Sequence, residues 1–303
     1  MSLIVPHLMP WKKTAAIGTL VVLSATANAI TIVHDTFADA DRTNQDLANN
    51  SVALFKTRSG TTVTSDVGSV VFNPTAAAGS DMFYGFFTDS GSPVSLAVGD
   101  TLTLSLTISF TGLATGNNSL RFGIFDSQAS RQTADLTGGA SNATFAGDTG
   151  YGLFTPLSTA PPTGNAFTLN ERTTTTTTNI FNAGADFTTV GTSGTPGQAL
   201  SDDQNYVLTY SIFRQSDTDT VLTAGISGGS LSNYGHSVTD TSTPQTAFDW
   251  FGFRIPGNTF ATTISFKDIE VTTITVPEPS TLALLAMPIT ALLARRKRSL
   301  ARV

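Results

Sequence analysis

Residues 101–110 read Thr-Leu-Thr-Leu-Ser-Leu-Thr-Ile-Ser-Phe, and polar and apolar side chains alternate through the whole stretch. A strand sends successive side chains to opposite faces, so Leu102, Leu104, Leu106, Ile108 and Phe110 share one side and the hydroxyl residues the other. That is the signature of a half-buried β-strand. Segments of the same character occur at 32–37, 52–57, 70–73, 82–88, 120–125, 206–214, 221–226, 247–255 and 262–272. The stretch YVLTYSIFR, then QSDTDT, then VLTAGIS predicts a long hairpin, closed by a glycine turn at Gly228 and Gly229. Gly, Ser, Thr, Asn and Asp recur along the chain and leave little room for amphipathic helices. The expected fold is therefore all-β, a two-sheet antiparallel sandwich.

Composition narrows the function classes. The chain has 303 residues, 40% hydrophobic and 13% charged, with no cysteine. Disulfides, thiolate metal sites and cysteine nucleophiles are excluded, so a core of side chains must supply the stability. Residues 30–275 hold nine basic and 21 acidic residues, a net charge of −12. Such a surface repels phosphate backbones, and nucleic acid is not an expected partner.

The ends carry a different kind of signal. Lys12 and Lys13 precede an apolar run over 14–24, and Ala27 and Ala29 supply the small residues that a signal peptidase requires. Residues 1–29 are read as a signal peptide, a short helix removed after Ala29, with translation starting at Met1 or Met9. The mature chain is then expected to begin at Ile30. At the other end, Val276-Pro277-Glu278-Pro279-Ser280-Thr281 is followed by an apolar stretch over 282–294 and by Arg295, Arg296, Lys297 and Arg298. Pro277 and Pro279 cannot continue a helix and hold this segment extended, as a protease cleft requires.

These three parts in this order resemble the PEP-CTERM sorting signal of Gram-negative bacterial surface proteins. The resemblance covers residues 276–303 and implies an exosortase-type protease as a partner beside signal peptidase. It also implies a short C-terminal hydrophobic helix that anchors the chain transiently in the inner membrane, with the basic tail cytoplasmic. The expected location is the cell envelope or extracellular space. The strand pattern between the signals resembles concanavalin A-like and laminin-G-like jelly rolls, in which the last strand returns beside the first.

Candidate sites within 30–275 are few. Asp35, Asp39 and Asp41 follow the first predicted strand and are candidate ligands of a calcium ion, which takes oxygen donors; a solvated acidic turn is the alternative. In AFDWFGFRI the alternation places Phe251, Phe253 and Ile255 on one face and Phe248, Trp250 and Arg254 on the other. An exposed Trp250 beside Arg254 would suit stacking on a sugar ring, whereas packing against a second layer would bury it. Glycoside hydrolysis needs a positioned pair of carboxylates. Only Glu171 and Glu270 are glutamates within 30–275, and the E-x-D-x-E pattern of lectin-fold glucanases is missing. A non-enzymatic protein contacting extracellular polysaccharide is expected, with a secreted hydrolase or a purely structural surface protein as the alternatives. Residues 155–197, rich in Pro, Thr, Gly and Asn, are read as a polar excursion or an edge strand.

Overall fold

The computed structural model describes residues 27–43, 52–74, 81–115, 119–139, 142–160, 166–173, 178, 180–181, 186–232, 234–255 and 260–276. The chain divides into two units, one of residues 27–276 and one of residues 1–26 with 277–303. The second lies outside the described residues, and with it the expected signal helix and C-terminal helix.

Among the described residues of 27–276 there are seventeen strands: β1 (Asn28–Asp35), β2 (Ala53–Lys56), β3 (Thr62–Asp66), β4 (Ser69–Asn73), β5 (Asp81–Phe86), β6 (Val94–Ser95), β7 (Thr101–Thr111), β8 (Ser119–Asp126), β9 (Thr149–Pro156), β10 (Thr168–Arg172), β11 (Phe187–Thr189), β12 (Asn205–Arg214), β13 (Thr220–Gly228), β14 (Tyr234–Asp240), β15 (Ala247–Phe248), β16 (Trp250–Ile255) and β17 (Thr263–Thr275). An eight-stranded sheet runs β14-β13-β12-β7-β17-β4-β3, with β1 also paired to β17. A seven-stranded sheet runs β11-β10-β9-β8-β16-β5-β2, and β6 with β15 forms a small ribbon. All strand pairs are antiparallel. The chain passes repeatedly from one sheet to the other, which is the jelly-roll manner of building a sandwich.

The alternation of residues 101–110 is realised throughout β7: Leu102, Leu104, Leu106, Ile108 and Phe110 are all buried, and the residues between them are half-buried. They meet Phe122, Ile124, Leu153, Phe251 and Phe253 of the other sheet in one continuous core. The predicted hairpin is β12–β13, paired from Tyr206 opposite Gly228 to Arg214 opposite Thr220.

The last strand shows how register is kept. β17 pairs with β4 over Ile264–Phe266 and with β1 from Ile269 onward, while its other edge follows β7. At the changeover the register against β7 shifts between Phe266 and Asp268, an irregularity that leaves Lys267 unpaired. Phe266 and Ile269 are three residues apart, and strict alternation would place them on opposite faces; the irregularity absorbs the extra residue and keeps both buried. Deleting Lys267 alone would leave Phe266, Asp268 and Ile269 in regular alternation, whereas deleting Lys267 together with Asp268 would turn Ile269 and Val271 outward. For the double deletion we expect a loss of at least ~3 kcal/mol of unfolding free energy, from two apolar side chains removed from the core, measured by urea denaturation. A double-deletion variant with an unchanged midpoint would contradict this register.

Candidate functional site

The seven-stranded sheet is buried on both faces. Its inner face belongs to the inter-sheet core; its outer face carries a second apolar cluster of Ala53, Phe55, Met82, Tyr84, Phe86, Phe125, Phe145, Ile180, Phe181 and Trp250. Phe145, Ile180 and Phe181 come from connecting segments laid over the sheet. Three glycines make room for that layer. Gly252 of β16 lies opposite Gly123 of β8, which lies opposite Gly152 of β9. A Cβ on Gly123 would sit 2.3 Å from the Phe125 ring, and one on Gly152 would sit 2.8 Å from the Phe187 ring. Aromatic rings thus occupy the space that side chains would otherwise fill.

Polar contacts pin this covering layer. Arg42 makes a two-pronged pair with Asp135, at 3.0 and 2.8 Å, and Tyr84 donates to the Ala134 carbonyl. Ser127 donates its amide and hydroxyl to Asp249. Arg172, fully buried, donates to the carbonyls of Phe145 and Asp148 and pairs with Asp186 at 3.2 Å. The Asp148 carboxyl is also enclosed, and burial pushes its pKa up to about 8; Arg172 opposes the rise, while Asp249 and Asp126 add to it.

Trp250 sits inside this layer with no exposed surface, 4.8 Å from the Phe125 ring centre and 5.4 Å from that of Phe145. Of the two readings of Trp250, the sugar contact is not met and packing against a second layer is: the indole is core, because connecting segments cover the face on which it lies. The expected face of Phe248 is corrected. It joins the inter-sheet core, since the strand breaks at Asp249 and the alternation changes phase between β15 and β16.

One row of this face stays partly open. Cross-strand pairing sets Arg254 of β16 opposite Arg121 of β8, and Arg121 opposite Phe154 of β9. All three are half-buried, as is Phe187 on β11. The Arg121 guanidinium lies 4.8 Å from the Phe154 ring centre, and the Phe154 and Phe187 rings meet edge to face at 5.1 Å. Both arginines donate through Nη1 to the Phe181 carbonyl, Arg254 at 3.1 Å. Burial, and then the adjacent Arg121 charge, lowers the Arg254 pKa to about 10.

The candidate calcium ligands are not brought together as a cation site. Asp35 spends its carboxylate on the amides of Phe37 and Val52, Asp39 accepts from the Asp41 amide, and Asp41 accepts from Thr43. They form successive turns along one loop. Among the described residues, no group of three or more His, Asp or Glu side chains is arranged to hold a metal.

A carboxylate pair not foreseen as a pair lies between the sheets. Glu171 of β10 and Asp240 of β14 are both buried. The Ser242 hydroxyl is 3.2 Å from Glu171 Oε2 and 2.6 Å from Asp240 Oδ1, while the Tyr151 hydroxyl donates to Asp240 at 2.8 Å. Burial raises the Glu171 pKa, Asp240 adds to this, and hydrogen bonds from Gln245 and Ser242 oppose it. A single serine proton cannot serve both carboxylates, so Glu171 is suited to hold a proton of its own.

Ala29 and Ile30, at the expected cleavage point, lie exposed in β1 opposite Ile274 and Thr273. Of the sorting motif, Val276 is described, its amide donating to Asp100. Pro277, Glu278, Pro279, Ser280, Thr281 and the basic cluster from Arg295 to Arg298 lie outside the described residues. The expected location through a C-terminal membrane helix is corrected, since no helix of the described residues is long and apolar enough to cross a membrane.

No protein-family model matches the chain, and no curated protein does. Solved structures do. An endo-1,3-beta-glucanase from Streptomyces sioyaensis shares 10% identity at a TM-score of 0.44, over 84% of this chain and 99% of that one. The seed lectin of Lotus tetragonolobus shares 9% at 0.43, over 82% and 100%. A protein of unknown function from Shewanella oneidensis MR-1 shares 14% at 0.42, over 87% and 92%. At these scores neither a ligand nor a reaction carries over to this chain.

The enclosed carboxyls make stability depend on pH. With a folded pKa of about 8 against an ordinary value of 3.8, Asp148 binds its proton more tightly when folded. Its contribution is full below the unfolded value and is lost as pH rises through about 8. Melting temperature should fall between pH 5 and pH 9, and Asp148→Asn, which keeps a neutral polar group in place, should flatten that fall and melt several degrees higher at pH 9. A wild-type curve that is flat or rising over this range would refute the assignment.

Proposed function

We propose that this chain is an exported bacterial protein of the cell envelope or extracellular matrix, processed at its Pro277-Glu278-Pro279 motif, whose sandwich binds polysaccharide without cleaving it. The observation that carries the binding reading is the open row on the outer face of the seven-stranded sheet. There a half-buried Phe154 ring and two guanidiniums stand side by side on adjacent strands, while Trp250 and the rings of Phe86, Phe125 and Phe145 on that face are buried. A flat ring supplies a stacking surface for a pyranose, and guanidinium N–H groups supply donors for its oxygens. A depression over Gly225 and Gly235 on the eight-stranded sheet has no charged side chain in its lining and supports the reading less well.

The hydrolase alternative draws on Glu171 and Asp240, whose shared hydroxyl suits proton exchange. Both side chains face the inter-sheet core and are closed off by the 241–246 connection, whereas a glycosidase pair must flank its substrate. They are better read as a buried polar tie between β10 and β14.

Native affinity electrophoresis through gels containing soluble polysaccharides tests binding, with reducing-sugar release assayed in parallel. We expect retardation by at least one polysaccharide and no new reducing ends. Release of reducing ends that is abolished by Glu171→Gln would favour the hydrolase instead.

A further inference from the structure

The two ends of the 27–276 unit lie side by side. β1 and β17 run antiparallel, with Asn28 opposite Thr275, Ala29 opposite Ile274 and Ile30 opposite Thr273. On its other edge β17 follows β7 as far as Ile274 opposite Thr101, so Thr275 has Asn28 as its one cross-strand neighbour among the described residues. Beyond it, the Val276 amide donates to Asp100 Oδ1 at 3.1 Å, and the other oxygen of that buried carboxylate accepts from the Ala97 amide at 2.9 Å. Val276 also rests on Gly99, where an added Cβ would lie 3.3 Å from the valine Cβ. One residue, Val276, thus separates Pro277 of the processing motif from a strand paired on both edges as far as Ile274. A cleft that takes its substrate as an extended strand does so through main-chain hydrogen bonds. Backbone groups already spent on β1 and β7 are not free for it, so gripping Thr275 and Val276 requires the end of β17 to come away from its neighbours.

We infer that removal of residues 1–29 licenses C-terminal processing: cutting after Ala29 takes Asn28 and Ala29 out of β1 and frees the end of β17 along that edge. This rests on the reading of the chain as an exported protein processed at both ends, and it sets the order of the two cuts. The register carries it. The bond after Ala29 falls inside a paired strand, so the cut removes the β1 partners of Ile274 and Thr275 and no others. From Ile30 onward β1 stays paired, and the sandwich keeps its first strand. What still holds the freed end is the pairing of Ile274 with Thr101 and the Asp100 carboxylate on the Val276 amide. Because β1 pairs with the last strand, its N-terminal end has no partner until synthesis is complete, and the first cut has that interval in which to act. A chain that escapes the first cut closes the ladder and shields its own second site. The residue pairs lost amount to about one or two backbone hydrogen bonds, each worth up to roughly tenfold in the opening equilibrium. Cleavage through the open form tracks that equilibrium when opening is fast.

The test follows the full-length chain in its native host by pulse labelling, with intact-mass measurement of both termini. Ala25 and Ala27 repeat, two residues upstream, the small-residue spacing of Ala27 and Ala29. Ala29→Val should therefore move the first cut to follow Ala27 and leave a mature chain that starts at Asn28 with β1 whole. C-terminal trimming of that variant should be about tenfold slower than in the wild type, which starts at Ile30. Adding Asn28→Gly weakens the strand without changing its length and should restore part of the rate. Equal trimming of the wild type and Ala29→Val, or a wild-type mature chain that itself starts at Asn28, would overturn this inference and leave the processing reading standing. A wild-type chain that is never trimmed at its C-terminus would overturn both.

Discussion

The structure depends on aromatic rings packed over a strip of sheet that has no side chains. Where Gly252, Gly123 and Gly152 stand in register, the backbone itself is the floor, and Phe125, Phe181 and Phe187 lie where side chains would have risen. Apolar surface enclosed in this way adds to the inter-sheet core at roughly 25 cal/mol per Å². A chain without cysteine has no covalent alternative. Because rings from connecting segments must be held against the floor, those segments are fastened by charged and polar contacts, with Arg42, Arg172 and Asp249 at the fastening points. These contacts lie partly or wholly out of water, so they carry desolvation costs, and the raised carboxyl pKa of Asp148 is one of them.

The same arrangement decides which part of the face is available. The covering layer buries the Trp250 end and is held by Arg254 and Arg121 through the Phe181 carbonyl, while Arg254, Arg121 and Phe154 are themselves half-buried. What remains is narrow, rigid and locally basic on an otherwise acidic domain. A surface with these properties selects ligands by a few close contacts, since the wider field of the molecule works against anions.

Much of the fold was legible in the sequence, because strands with one wet face write their period into the residues. β7, β12 and β17 are of that kind. The strands missed by the pattern fail it for identifiable reasons. β9, Thr149–Pro156, is almost wholly buried on both sides and does not alternate; β10, Thr168–Arg172, buries Asn170, Glu171 and Arg172 in hydrogen-bonded networks that hydropathy reads as loop. Residues 155–197 therefore contribute one internal strand and one edge strand as well as polar connections. The face of Trp250 followed from alternation, but its burial did not, since the covering segments are distant in sequence. For the site itself a signal was present: Phe122-Gly123-Ile124, Tyr151-Gly152-Leu153 and Phe251-Gly252-Phe253 each set a glycine between two large apolar residues. Aligning those glycines across strands places Arg121 beside Arg254, and only the register supplies that alignment.

The most direct measurement is tryptophan fluorescence of the 27–276 unit, in which Trp250 is the only indole because the other tryptophan, Trp11, precedes it. If the outer face is sealed over its glycine floor, emission is blue-shifted, resists acrylamide quenching and is unchanged by saturating polysaccharide, while Phe181→Ala opens the layer and shifts emission to the red. Emission that is already red-shifted and freely quenched in the wild type, or that is altered by polysaccharide stacking on the indole, would contradict the account.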